Sequence, residues 1–345
     1  MWHYFAGNLY DDGQEAEFPN YIPPGIITRR LVSHGYSDRW KGLRDMIRTK
    51  QAEKKVSLFL DSGAFSAFTK GVEIKIEDYI QFIKDNTKYI DIYANLDVIG
   101  DAEATWQNQK IMEAAGLSPI PCFHAGEEWR YLERYIANYD YIALGGIAQL
   151  GRRAQSWMDS CFDLLCDKDG YPKVKVHGFA VTSLRLMLRY PFFSVDSTSW
   201  VLTGRMGSIF VPRERSGQWI YDDDSLKVAI SARSPAIEIQ GNRHFSNMSK
   251  KEKETVLRYI HSCGFDIGES KMDQRHKDSV LADNEKWISK PDDTGMREVE
   301  IVITSGLCND YRMRDKINIM YFLELEKQIP PWPTKFIRKG LRSLI

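Results

Sequence analysis

Two aspartates stand where apolar runs stop. In LFLDSGAFSAF the run ends at Asp61, followed by Ser62, Gly63 and aromatic residues; in FFSVDSTSW it ends at Asp196, followed by small hydroxyl residues that leave the carboxylate accessible. Two carboxylates held in different surroundings can divide nucleophilic attack from proton transfer, because burial and neighbours set their pKa values apart. The same residues also close turns: Asp61 or Ser62 can cap the next helix, and Asp196 can end its strand in an Asx-turn. Asp97, at the end of YANLD, has two readings as well, an acceptor for the edge of a base or a cap for the helix that follows. IALGGIAQ ends in Gly145 and Gly146, which admit a flat ligand close to the backbone but serve equally in turns. His124 in PIPCFH, and His177 with Gly178 in KVHGFA, also stand near the ends of apolar runs. Isolated histidines there are more often satisfied structural groups, and no proton-transfer role follows for either.

Groups so placed need strands that bring them together. From residue 57 onward, apolar β-rich runs alternate with amphipathic stretches, the rhythm of a parallel sheet covered by helices. Strands are predicted at 57–61, 89–97, 119–124, 141–146, 175–180, 192–196 and 208–212, with an N-terminal one near HYFAG as the eighth. Helices are predicted at 77–86, 102–115, 126–138, 153–166 and 182–189. Eight units suggest a closed (β/α)8 barrel of the TIM type, whereas six or seven would suit an open doubly wound sheet. The polar residues favour the barrel, because Asp61, Asp97, His124, Gly145, Gly146, His177, Gly178 and Asp196 all fall at the C-terminal ends of predicted strands. Beyond about residue 220 the rhythm stops. The chain is therefore divided into a barrel at 1–220 and an α-rich C-terminal appendage at 221–345, with helices at 249–262 and 311–328. The polar stretch GESKMDQRHKDSVLADNEKW between them reads as a loop, and the basic tail PPWPTKFIRKGLRSLI starts in proline-fixed extended chain.

Composition sets outer bounds. The 345 residues carry 47 basic and 47 acidic side chains, so a nucleic-acid partner must be held by a local basic surface rather than a global field. No apolar run is long enough to span a bilayer and no secretory signal opens the chain, so a cytoplasmic location is expected. Five scattered cysteines without a Cys-x-x-Cys pair argue against a disulfide framework or a zinc knuckle, and idle thiols are the default reading.

Taken in order, DSGAF, NLD, FHAG, ALGGIA, HGFAV, VDSTSW and TGRMG resemble the tRNA-guanine transglycosylase superfamily, and most of all its 7-deazaguanine DNA transglycosylase branch. The resemblance spans roughly residues 57 to 220. It implies a (β/α)8 barrel that exchanges guanine in a nucleic acid for a 7-deazaguanine such as 7-cyano-7-deazaguanine. It implies further that Asp196 is the nucleophile, Asp61 the acid/base partner and Asp97 the group that reads the guanine edge. Gly145, Gly146, Ile147 and Ala148 match the family's Gly-Gly-Leu-Ala segment beside the base, where Ser62, His124, His177 and Gly178 are expected as well. Gly204-Arg205-Met206-Gly207 resembles the family's Gly-Arg-Asn-Gly loop, making Arg205 the best candidate for a phosphate contact. Arg213 and Arg215 are further candidates, with Arg152, Arg153, Lys335, Arg338, Lys339 and Arg342 as weaker ones.

Two departures matter. His124-Ala125-Gly126 replaces the family's Gln-Gly-Gly, and the Cys-x-Cys-x-x-Cys zinc motif with its distal histidine is missing after residue 220. The second departure favours DNA over tRNA as the polymer and leaves the appendage as a possible nucleic-acid-contacting subdomain. In this reading Asp196 traps C1′ as a covalent glycosyl-enzyme and Asp61 shuttles the proton, with no cofactor and no metal. A duplex substrate would have to flip its guanosine into the barrel mouth. The alternatives are a tRNA enzyme of the same chemistry, an inactive barrel that binds nucleic acid as an accessory subunit, and an unrelated barrel hydrolase using paired carboxylates on a small sugar or nucleoside. A homodimer is compatible with each.

Overall fold

In the computed structural model the described residues are 1–7, 22–35, 56–234 and 243–338. They form two compact units, one comprising Met1–Ser199 with Leu325–Ile345 and the other Trp200–Glu324.

The first unit is built on eight parallel strands: β1 (Trp2–Phe5), β2 (Thr28–Ser33), β3 (Val56–Asp61), β4 (Ile92–Tyr93), β5 (Cys122–His124), β6 (Tyr141–Gly145), β7 (Lys175–Gly178) and β8 (Ser194–Ser197). Their order across the sheet is β4-β3-β2-β1-β8-β7-β6-β5. Neighbouring strands lie about 4.8 Å apart, so a flat sheet of this order would hold β4 and β5 roughly 30 Å from each other. Instead Ala94, just past β4, and Ile120 and Cys122, at β5, share one buried cluster with Tyr4, Leu31, Phe59 and Ala143. The sheet is therefore curled into a half-barrel, compatible with a TIM-like α/β fold. At its edges an isolated parallel bridge pairs Ala94 with Ile120: the Ile120 N–H donates to the Tyr93 carbonyl at 2.9 Å, and the Asn95 N–H to the Ile120 carbonyl at 3.0 Å.

The crossovers carry helices α1 (Ala64–Lys70), α2 (Ile76–Asn86), α3 (Ala102–Ala114), α4 (Trp129–Asn138), α5 (Ala154–Leu165) and α6 (Leu184–Arg189). Each of the longer helices buries one stripe: Tyr79 and Ile83 on α2, Tyr131, Leu132 and Tyr135 on α4, and Met158, Phe162 and Leu165 on α5. The α3 start is fixed by Asp101, whose side chain accepts from the Ala104 N–H at 2.9 Å. The chain end returns to this unit. Glu326 accepts from the His3 N–H and pairs with Arg29 at 2.6 Å, the Trp332 indole N–H donates to the Pro191 carbonyl, and Phe336 stacks on Tyr190.

One predicted strand lies outside the parallel sheet, and one strand of that sheet is not among those predicted. The segment SIFVP does form a strand, β9 (Ser208–Val211), but it pairs antiparallel with β12 (Leu226–Ala229) instead of joining the parallel sheet. Its place in the sheet is taken by β2, TRRLVS, whose two arginines hide its strand character. Arg30 is buried because its guanidinium donates to the Phe5 and Gly7 carbonyls, and Arg29 lies over the Trp2 ring.

The second unit is mixed rather than α-rich. It holds α7 (Ser199–Arg205), most of α9 (Tyr311–Gln328) and α8 (Lys250–Ser262), which opens with a capping box of Ser249 and Glu252. It also holds the hairpin β10 (Arg213–Arg215) and β11 (Gln218–Ile220). The stretch expected to be a loop contributes β13 (Glu269–His276) and β14 (Glu285–Trp287), both antiparallel to β15 (Met296–Thr304). No helix among the described residues is long and apolar enough to cross a membrane.

Candidate active site

Period two along a strand decides which side chains face the inside of the curl. Phe59, Cys122 and Ala143 lie in the inner cluster, so Asp61, His124 and Gly145, two residues further on, share that face at the strand ends. Asp196 is in register with the inward Tyr4, and Ser33 with Asp61. The C-terminal ends of β3, β5, β6 and β8 thus present two carboxylates, an imidazole and a glycine to one mouth.

Asp196 is buried and held in place. Its Oδ1 accepts from the Ala180 N–H at 2.9 Å and faces His177 Nε2 at 3.3 Å. Its Oδ2 has no hydrogen-bond partner among the described residues. Ala180 adopts φ 53°, a left-handed conformation rare outside glycine, and this turn aims its N–H at the carboxylate. His177 is fully buried, and burial lowers its pKa despite Asp196. Its Nδ1 lies 2.6 Å from Ser194 Oγ, which lies 2.6 Å from the Tyr141 hydroxyl. One arrangement satisfies every group: Tyr141 donates to Ser194, Ser194 to His177 Nδ1, and the Nε2–H to Asp196.

Asp61 Oδ2 accepts from the Gly63 N–H at 3.2 Å, and Ser62 Oγ accepts from the Ala64 N–H at 3.3 Å, so both also stabilise the turn into α1. Burial, then the charges of Asp97 and Asp196, push the Asp61 carboxyl up to about 7, against the opposing pull of the Gly63 N–H and Ser33. Gly63 is required here. It sits at φ 82°, and a Cβ would lie 2.6 Å from Ser33 Oγ. Past this turn, Phe65 and Phe68 of α1 are exposed.

Asp97 Oδ2 lies 3.4 Å from His124 Nε2, and its Oδ1 is buried without a hydrogen-bond partner among the described residues. His124 Nδ1 lies 3.4 Å from Glu127 Oε1, and its Nε2 lies 3.5 Å from Cys122 Sγ. Burial opposes the charged ring, but the charges and hydrogen bonds of Cys122 and Asp97 outweigh it and hold His124 well above its ordinary range. Burial also pushes the Cys122 thiol up to about 12. Gly145 makes room for this ring, since a Cβ there would come within 2.5 Å of His124 Cδ2.

No family model matches the chain, and neither does any curated protein or solved structure.

The other expected residues are placed as follows. Gly146 turns at φ 74°, Ile147 is buried and Ala148 exposed, while Gly178 packs where a Cβ would meet Val181 and Phe192. Arg205, Arg213 and Arg215 belong to the second unit. The half-buried Arg205 acts electrostatically on the buried Asp315. Arg213 pairs with Asp222 and, at 3.1 Å, with Asp224; Arg215 is exposed on the hairpin. Arg152, Arg153 and Lys335 are exposed, Arg338 pairs with Asp163, and Lys339 and Arg342 lie outside the described residues.

Sequence reasoning passed over Ser194, Tyr141, Ala180, Cys122 and Glu127. The pattern Cys122-x-His124-x-x-Glu127 was the visible signal for the last two. A cleft of about 580 Å3 opens at the other end of the strands, between Asp91, Tyr93, Glu113, Tyr139 and Tyr141. Two of its carboxylates are committed: Asp91 accepts from the Leu58 N–H, and Glu113 from Tyr139 and Lys110.

Proposed function

We propose that the chain is a transglycosylase that exchanges guanine in DNA for a 7-deazaguanine through a covalent aspartyl-glycosyl intermediate. The observation that carries this reading is the pair of carboxylates in unlike surroundings at one rim. Asp196 is fixed through one oxygen while the other takes no hydrogen bond among the described residues; Asp61 is pushed up to about 7. A nucleophile and a proton carrier need these two environments.

In the first half-reaction Asp196 Oδ2 attacks C1′ of the target nucleotide. The glycosidic bond breaks through an oxocarbenium-like state, and its electron pair leaves with guanine, which takes the Asp61 proton. In the second, the incoming base gives its proton to Asp61 and attacks C1′, and the ester bond returns its electrons to Asp196. Asp97 Oδ1, buried without a hydrogen-bond partner among the described residues, is suited to accept from the N–H edge of the base. In this reading the Ala94–Ile120 bridge is the seam of a closed barrel, the protein works in the cytoplasm, and the absence of a Cys-x-Cys-x-x-Cys motif favours DNA over tRNA.

The test is nucleoside mass spectrometry after incubation with 7-cyano-7-deazaguanine and, separately, duplex DNA and bulk tRNA. A deazaguanine deoxynucleoside formed by the native protein and not by Asp196→Asn supports the proposal. A ribonucleoside moves the chain to the tRNA enzymes, and exchange that survives Asp196→Asn refutes the mechanism.

A further inference from the structure

Asp97, Cys122 and His124 converge more closely than base recognition requires. One ligand atom from each lies within 4.8 Å of the others. Zinc held tetrahedrally by nitrogen and oxygen at about 2.0 Å and by sulfur at about 2.3 Å has N···O and N···S edges of roughly 3.3 and 3.5 Å. His124 Nε2 stands 3.4 Å from Asp97 Oδ2 and 3.5 Å from Cys122 Sγ. The other ring nitrogen faces a carboxylate, Glu127 Oε1 at 3.4 Å, and Glu127 Oε2 accepts from the His124 N–H at 3.0 Å. A carboxylate on the far nitrogen is the usual way a metal-binding histidine is oriented. Gly145 leaves room for the ring to reach this point, and Asp97, nine-tenths buried, keeps its Oδ1 without a hydrogen-bond partner among the described residues.

We propose that Asp97, Cys122 and His124 bind a divalent cation of the zinc class, with Glu127 as the residue that orients His124. Sulfur and imidazole together select zinc over magnesium or calcium, which prefer oxygen. Three protein ligands leave one position for water or a substrate atom, the pattern of zinc sites that act on ligands. Cys122 releases its proton on binding. Asp97 Oδ2 goes to the metal and Oδ1 stays available to a base, so the site is compatible with base exchange but does not depend on it.

Cobalt is the probe, because a thiolate bound to Co2+ gives a near-ultraviolet charge-transfer band. Metal-free protein titrated with Co2+ is expected to develop this band with an end point at one equivalent and to lose it on addition of zinc. Cys161→Ser keeps the band, Cys122→Ser loses it, and Glu127→Gln keeps it with affinity lowered about 10- to 100-fold. A folded native protein that gives no band overturns the proposal even if Cys122→Ser fails to fold, and so does a band that survives Cys122→Ser. Base exchange by a native protein that gives no cobalt band would overturn the metal site alone, whereas stoichiometric metal with no exchange on either polymer would overturn the function alone.

Discussion

At the scale of single residues, the site depends on groups whose protonation is set by burial. Asp61 titrates near 7 in the folded chain against an ordinary value of 3.8, so between these values the folded state holds a proton that the unfolded chain has released. Its contribution is fully present below about pH 4 and is lost as pH rises through about 7. Asp61→Asn should flatten the fall in stability over that window, by up to about 4 kcal/mol, read as urea midpoints measured at successive pH values. An unchanged slope would mean that Asp61 is not the group. Ser194 joins the half-buried Tyr141 and the buried His177, at 2.6 Å each. Ser194→Ala leaves both without it and should cost about 1 to 3 kcal/mol in equilibrium unfolding. It should also slow base exchange by loosening the imidazole that faces Asp196.

At the scale of elements, strand ends place the site and close approach shapes it. Gly145 and Gly146 are adjacent but do different work. An added Cβ at Gly145 meets the His124 ring at 2.5 Å and Cys122 Sγ at 2.9 Å, whereas at Gly146 the nearest atom is 3.4 Å away and the obstacle is φ 74°. Gly145→Ala should therefore cost about 1 to 3 kcal/mol of overpacking and abolish exchange. Gly146→Ala should cost about 1 to 2 kcal/mol of backbone strain and retain part of the activity. Exchange rates and unfolding midpoints for the two variants, measured side by side, would expose a reversed order. Most strands and helices of the sheet are legible in the sequence, because SLFLD, YIALG and their neighbours are apolar runs bounded by turns. The strand TRRLVS is not, since its arginines are satisfied by the Phe5 and Gly7 carbonyls and by Glu326, partners distant in sequence.

At the scale of the whole molecule, the chain end groups with the first unit. Leu325–Ile345 is assigned to that unit, with Glu326 on β1 and β2 and Phe336 against Tyr190. Ending the chain at Glu324 removes a buried aromatic and an ion pair of low exposure. Burying one such aromatic contributes about 1.5 to 3 kcal/mol, and losing one partner of a buried charge pair costs more. Truncation should lower the midpoint of thermal unfolding by several degrees or leave no cooperative transition, as circular dichroism would register. An unchanged transition would show the tail to be dispensable.

The amino-acid sequence by itself determined the alternation of strands and helices and the placing of Asp61, Asp97, His124, His177 and Asp196 near strand ends. Both follow from local periodicity and from turn chemistry a few residues long. Only the tertiary structure decided that TRRLVS and not SIFVP fills the parallel sheet, because local β character does not name a partner strand; burial and long-range pairing do. It also decided that Asp97, Cys122, His124 and Glu127 meet. Their convergence depends on the curl of the sheet, the inward period of β5 and a glycine on β6 that leaves space for a ring.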